Sequence, residues 1–146
     1  MIVTFCGHRD VYSSEDRLRR WLKETVRELI SRGADKFYLG GYGAFDRLSA
    51  SVVRELRTDH PDIESVLVLA YLDRTRDELD SATYDRTAYP PLEKVPKRFA
   101  IVRRNEWMVD ASDVVVSGVT HDWGGAYRTL KYAEKRGKEI IRYAAR

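Results

Sequence analysis

Residues 36–56 read Lys36-Phe37-Tyr38-Leu39, then Gly40-Gly41-Tyr42-Gly43, then AFDRLSASVVREL. The first four residues have the aromatic and apolar character of a short buried strand. Beyond Gly43, Phe45, Leu48, Val52, Val53 and Leu56 recur at three- and four-residue intervals, which is the apolar stripe of a helix. A strand that passes through glycines directly into a helix is half of a βαβ unit. It also leaves the amides of the helix start facing whatever lies beyond the strand.

Both flanks repeat the alternation. Upstream, residues 2–6 form a β-branched and aromatic run that Gly7 ends. The helix after the loop at 8–13 is announced by Ser13 and Asp16 at capping-box spacing, with Glu15 adding negative charge to the first turn. Its stripe is Leu18, Trp21, Leu22, Val26, Leu29 and Ile30, and Gly33 stops it. Downstream, residues 63–70 are almost continuously apolar, as expected of a strand buried on both faces of a parallel sheet.

Residues 71–98 break the rhythm. They are polar, carry Pro90, Pro91 and Pro96, and predict an irregular connection with one short helix near 76–81. A further short strand is expected at 99–102, followed by a helix at 104–111 that buries Trp107 and Met108. A strand at 114–117, a loop holding His121, Trp123, Gly124 and Gly125, a helix at 126–135 and a strand at 139–143 complete the chain. The pattern predicts one α/β domain over residues 1–146. Its architecture is Rossmann-like and doubly wound, with a mainly parallel sheet and helices on both faces.

Composition narrows the class. With 43% hydrophobic and 34% charged residues the chain reads as globular, and one cysteine excludes an intrachain disulfide. No secretory leader or membrane span is visible, so a cytoplasmic protein without membrane partners is expected. The net charge of +3 is a weak bias. Lys94, Lys97, Arg98, Arg103 and Arg104 read as a solvated connector plus one ligand arginine, so nucleic acid is not the expected partner.

In an open parallel sheet, ligands bind beyond the carboxyl ends of the strands. The unusual residues fall there: Gly7, His8 and Arg9 after the first strand, Gly40 to Gly43 after the second, and His121 to Gly125 after the fifth. Gly40-Gly41-Tyr42-Gly43 is the strongest candidate phosphate cradle and Gly124-Gly125 the second. Arg9 and Arg104 are candidate phosphate partners through paired hydrogen bonds. Arg104, four residues before Met108, faces inward, and Arg103 faces solvent.

His8 suits either acid/base work or capping of its loop. His121 is expected exposed and His60 structural, and the three histidines lack metal-ligand spacing, so no metal and no cofactor are predicted. Cys6, inside an apolar strand, reads as packing. Asp46 suits a ribose hydroxyl, a catalytic carboxylate or dipole stabilisation of its helix. Tyr42, Trp123 and Tyr127 are candidate base-stacking surfaces. Tyr84 and Tyr89 are candidates for a lid or an oligomer contact.

The segments GHR at 7–9, GGYGAFDRLSA at 40–50, RNEWMVDASD at 104–113 and WGGAYRTLKYA at 123–133 resemble the SLOG superfamily. That superfamily unites the DNA-processing protein A fold with the LONELY GUY proteins. YPPLEKVPKRFA at 89–100 is similar to the middle of small uncharacterised bacterial members of the YspA/YpsA type. The resemblance implies a Rossmann-like fold, a nucleotide-derived ligand and a homodimer or higher oligomer. It places Arg104 where LONELY GUY phosphoribohydrolases carry a catalytic arginine, and Gly124-Gly125 on their second glycine motif.

Where those hydrolases carry a glutamate, this chain has Lys131, so Asp46 or Glu106 would have to replace it. The ligand-binding set expected is therefore Gly7, His8, Arg9, Gly40, Gly41, Tyr42, Gly43, Asp46, Arg104, Asn105, Trp123, Gly124 and Gly125. The candidate catalytic set is Arg104, Asp46 and Glu106. A nucleotide-binding or sensor domain is the leading expectation. An N-glycosidic hydrolase or transferase is the alternative, and single-stranded DNA binding comes third.

Overall fold

The period-two alternation of strand residues divides the interior into two cores. The computed structural model describes residues 1–10, 14–71 and 84–144. They hold six strands: β1 (Ile2–Gly7), β2 (Lys36–Leu39), β3 (Glu64–Val68), β4 (Arg86–Ala88), β5 (Val114–Gly118) and β6 (Glu139–Arg142). The helices are α1 (Glu15–Ser31), α2 (Gly43–Arg57), α3 (Ala100–Ala111) and α4 (Gly125–Lys135), with a 3-10 turn at Lys97–Phe99 before α3.

All strand pairs are parallel, in the order β4-β3-β2-β1-β5-β6. On one face Val3, Phe5, Phe37, Leu39, Leu67, Val114 and Val116 pack under α1 and α2. On the other, Cys6 and Val115 meet Val109 of α3 with Leu130 and Ala133 of α4, while Val66 and Val68 meet Met108. The expected doubly wound α/β fold is observed.

Helix α1 shows why these residues fold as they do. Leu18, Leu22, Val26 and Leu29 are at most 2% exposed. Each contributes about 1.5–3 kcal/mol relative to exposure, far more than helix propensity supplies. The cap is Ser14, whose hydroxyl accepts the amide of Arg17. The expected cap, Ser13, lies outside the described residues.

Three expectations need correction. The connection at 71–98 is not wholly irregular: Arg86–Ala88 pairs with Val66–Val68 as the edge strand β4. Residues 99–102 form no strand, since Ala100 begins α3. Four apolar residues in a row suit either element, and tertiary packing decides between them. Tyr84 is buried in the larger core, with Tyr89 packed against it, so Tyr84 is no lid or surface contact. The helix expected near 76–81 lies outside the described residues. No helix among those described is long and apolar enough to cross a membrane.

The chain steps outward from β1 to β4, then returns to place β5 on the other side of β1. Strand order reverses between β1 and β5, where the loops leaving the two strands diverge and open a crevice.

Candidate functional site

That crevice is a cavity of about 370 Å³. Its floor is Phe5 and Cys6. Its walls are Gly7, His8, Arg9 and Asp10 after β1; Tyr42 and Asp46 at the start of α2; Ile101, Arg104, Asn105 and Met108 of α3; and His121, Trp123, Gly124, Gly125, Ala126 and Thr129 after β5. The volume falls within the usual range for small-molecule sites.

Close packing sets the floor. A Cβ on Gly7 would lie 2.2 Å from Phe45 Cγ, and one on Gly118 would lie 2.2 Å from Phe45 Cε1. Phe45 therefore wedges α2 between the ends of β1 and β5 and holds the two strands' exits in register. Gly43 has φ +89° and lies where a Cβ would be 2.6 Å from the Arg9 Cα. The Ala44 amide donates to the Arg9 carbonyl at 2.7 Å, and the Tyr42 amide donates to Asp46 Oδ2 at 3.2 Å.

The start of α2 is thus engaged by the protein's own oxygens. Gly40, Gly41 and Gly43 lie outside the cavity lining, and Gly7 and Gly43 serve close packing. Asp46 reaches the cavity while its carboxylate holds the first turn of α2.

Arg104 is 2% exposed. Its Nη1 donates to the carbonyls of Gly40 and Val68, each at 3.0 Å, and its Nε donates to Asn105 Oδ1 at 2.9 Å. The guanidinium carbon lies 5.2 Å from the centroid of the Tyr42 ring. Arg104 therefore clamps the ends of β2 and β3 to α3 from the wall of the cavity. Arg103 is exposed and pairs with Glu106 at 3.1 Å, which leaves Glu106 outside the lining. Lys131 pairs with Glu134 at 3.3 Å, also outside the lining. Arg9 is exposed at the rim.

The start of α4 differs from that of α2. Gly124 occupies the N-cap at φ 91°, ψ 178°, and no side chain caps the helix. Its first turn carries no acidic residue, and a Cβ added at Gly124 or Gly125 would meet nothing within 4 Å. Gly124, Gly125 and Ala126 line the cavity, which puts the positive end of the α4 dipole at its wall. Thr129, whose hydroxyl donates to the Gly125 carbonyl at 3.0 Å, closes this turn from within. Tyr127 lies outside the lining, beneath Lys131.

The loop before α4 is ordered by a column of rings. His8 and His121 stack at 3.4 Å between centroids, and His121 and Trp123 at 3.7 Å. His8 Nε2 accepts the amides of Thr120 at 2.9 Å and His121 at 3.3 Å, so its proton sits on Nδ1. Burial, aided by His121, lowers the His8 pKa below the ordinary histidine value. A neutral ring is what the two donated amides require. His121 is not the exposed residue expected: it is half-buried within the column.

Burial pushes the Cys6 thiol up to about 12, with the Asp46 charge acting in the same direction against a hydrogen bond involving Ser117. Cys6 packs at the cavity floor, where its raised pKa disfavours the thiolate at neutral pH. Among the described residues no group of three or more His, Cys, Asp or Glu side chains could hold a metal ion.

Ten of the expected site residues line one cavity: Gly7, His8, Arg9, Tyr42, Asp46, Arg104, Asn105, Trp123, Gly124 and Gly125. Gly40, Gly41, Gly43 and Glu106 do not. Asp10, Ile101 and Thr129 also line it without having been anticipated. Thr129 was signalled by its position four residues after Gly125, where its hydroxyl can reach that carbonyl.

Comparison with solved structures shows the same architecture elsewhere. DNA processing protein A from Helicobacter pylori, described for its single-stranded DNA binding mode, superposes with a TM-score of 0.69 at 17% identity. The match covers 100% of this chain and 66% of that one. DNA processing protein A from Streptococcus pneumoniae matches at TM-score 0.69 and 12% identity, over 99% of this chain and 50% of that one. The Moco carrier protein from Chlamydomonas reinhardtii matches at 0.60 and 14%, over 97% and 74%. The chain shares the Rossmann-like α/β fold of these proteins.

The shared fold spans about half to two thirds of the two DNA-processing chains and nearly all of this one. No family model and no curated protein matches the sequence.

Proposed function

We propose that residues 1–146 act as one binding or sensor domain for a phosphorylated, nucleotide-type small molecule, held at the β1/β5 crevice. One observation carries this reading: the start of α4, uncapped by any side chain, lines through Gly124, Gly125 and Ala126 a cavity built at the point of strand reversal. An anion seated there receives backbone hydrogen bonds and the helix dipole together. Arg9, at the rim, adds positive charge. Arg104 contributes by fixing the wall.

The residues also favour binding over turnover. Asp46 is the carboxylate nearest in role to a missing glutamate, and it already accepts the Tyr42 amide. Glu106 and Lys131 are paired on the outside. Hydrolysis at an N-glycosidic bond is the second reading, since Asp46 does line the cavity. Base released from a nucleoside monophosphate, and lost in Asp46→Asn, would establish it. Likeness to a protein described for binding single-stranded DNA supports a third reading, which predicts affinity that falls steeply with salt.

A thermal-shift screen of nucleoside phosphates tests the proposal. A ligand at a hundred times its dissociation constant adds about 2.7 kcal/mol to stability. Gly125→Pro is the matched control. Proline is tolerated at the first helical position, there is room for its ring's Cβ, and the substitution removes one donor from the anion seat. Stabilisation by a nucleotide in the wild type and its loss in Gly125→Pro are expected. Equal stabilisation of both proteins, or of neither by any member, would refute the reading.

A further inference from the structure

We infer that Trp123 is the platform for a purine base, so that the site takes a purine nucleoside 5′-monophosphate or a larger molecule containing one. The inference rests on the cradle reading above and adds the ligand's other end. Its own evidence is the ring column. The interplanar angles are 16° between His8 and His121 and 18° between His121 and Trp123, so three rings stack nearly parallel. The inner end is anchored: His8 is 9% exposed and tied to the backbone of residues 120 and 121.

The outer end is not covered. Trp123 is 64% exposed although one face of its indole lies on His121, and it lines the cavity. Tryptophan has a large apolar face whose exposure to water is unfavourable. Here neighbouring rings hold that face rigid and oriented before anything binds. A fourth flat ring would extend the column without rearrangement.

Position in the chain supplies the geometry. Trp123 stands two residues before Gly125, so their Cα atoms are at most about 7 Å apart. A base on the indole and a phosphate at the start of α4 are then separated by the reach of one ribose. A purine covers more of the indole than a pyrimidine does, and stacking tolerates any base that fills the surface.

The test is calorimetric titration of adenosine monophosphate, cytidine monophosphate and ribose 5-phosphate into the wild type, Trp123→Ala and Trp123→Phe. In the wild type, adenosine monophosphate is expected to bind more tightly than cytidine monophosphate, and both more tightly than ribose 5-phosphate. Trp123→Ala should weaken adenosine monophosphate on the order of 10- to 100-fold and leave ribose 5-phosphate unchanged, with Trp123→Phe recovering part of the loss. Equal affinities of all three ligands for the wild type, or equal weakening of all three in Trp123→Ala, would overturn the platform while leaving the cradle intact. Failure of all three to bind the wild type would instead overturn the cradle, and the platform with it. The exposed indole can be removed without disturbing the core, and unchanged thermal unfolding of the free variants checks that.

Discussion

Replacing Arg104 by methionine tests whether this arginine is mainly a clamp. The substitution keeps an unbranched, flexible stem but removes every donor. Two carbonyls, those of Gly40 and Val68, lose the Arg104 Nη1 donor within a buried contact. A hydrogen bond from a charged donor contributes about 1.5–3 kcal/mol, so losing two removes roughly 3–6 kcal/mol. Relief from burying a charge offsets part of that. A net destabilisation of about 2–4 kcal/mol is expected, which for a chain of this length lowers the unfolding midpoint by roughly 6–12 °C. Arg104→Lys, with one mobile ammonium in place of a fixed fork, should fall between. Urea and thermal unfolding of the free proteins measure both. A methionine variant within about 0.5 kcal/mol of the wild type would refute the clamp, as surface positions behave that way. An Arg104→Lys protein of unchanged stability that no longer binds nucleotide would instead make the guanidinium a direct phosphate ligand.

Further outcomes follow from the same geometry. Gly7→Ala forces a methyl against Phe45 and should destabilise by about 1–3 kcal/mol, less than additively when combined with Phe45→Leu; full additivity in denaturation experiments would contradict the wedge. His8 holds fewer protons folded than unfolded, so stability should fall as pH drops below about 6.5, and His8→Gln should flatten that slope between pH 7.5 and 5.5. An unaltered slope in urea midpoints would show that another group governs it. Cys6 should resist thiol reagents at neutral pH until the protein unfolds, and rapid labelling of the native state would contradict its burial.

The sequence disclosed the fold wherever periodicity was long. The stripe of α1, the glycine-bounded strands and the strand-glycine-helix passage at 36–56 each have one reading. Short or polar pieces were different. Strand β4 is three residues, Arg-Thr-Ala, at the sheet edge, too short for an alternation to show and with Arg86 and Thr87 both exposed. The Phe99 to Val102 run matches either period.

At the site, residue type gave the place but not the role. Glycines at 40–43 and 124–125 look alike in sequence, yet one helix start is engaged by Arg9 and Asp46 and the other is uncapped. That difference depends on which loop lies opposite, a long-range fact. The His8–His121–Trp123 column joins residues more than a hundred positions apart, so neither its order nor the half-burial of His121 was legible locally.

A ¹⁵N-resolved NMR titration with adenosine monophosphate locates the bound nucleotide residue by residue. The largest shifts are expected at the amides of Gly125 and Ala126 and at the Trp123 indole, with smaller ones after β1. Saturating shifts confined to the start of α2 or to the opposite edge of the sheet, or none at millimolar nucleotide, would rule out a nucleotide seat at the β1/β5 crevice.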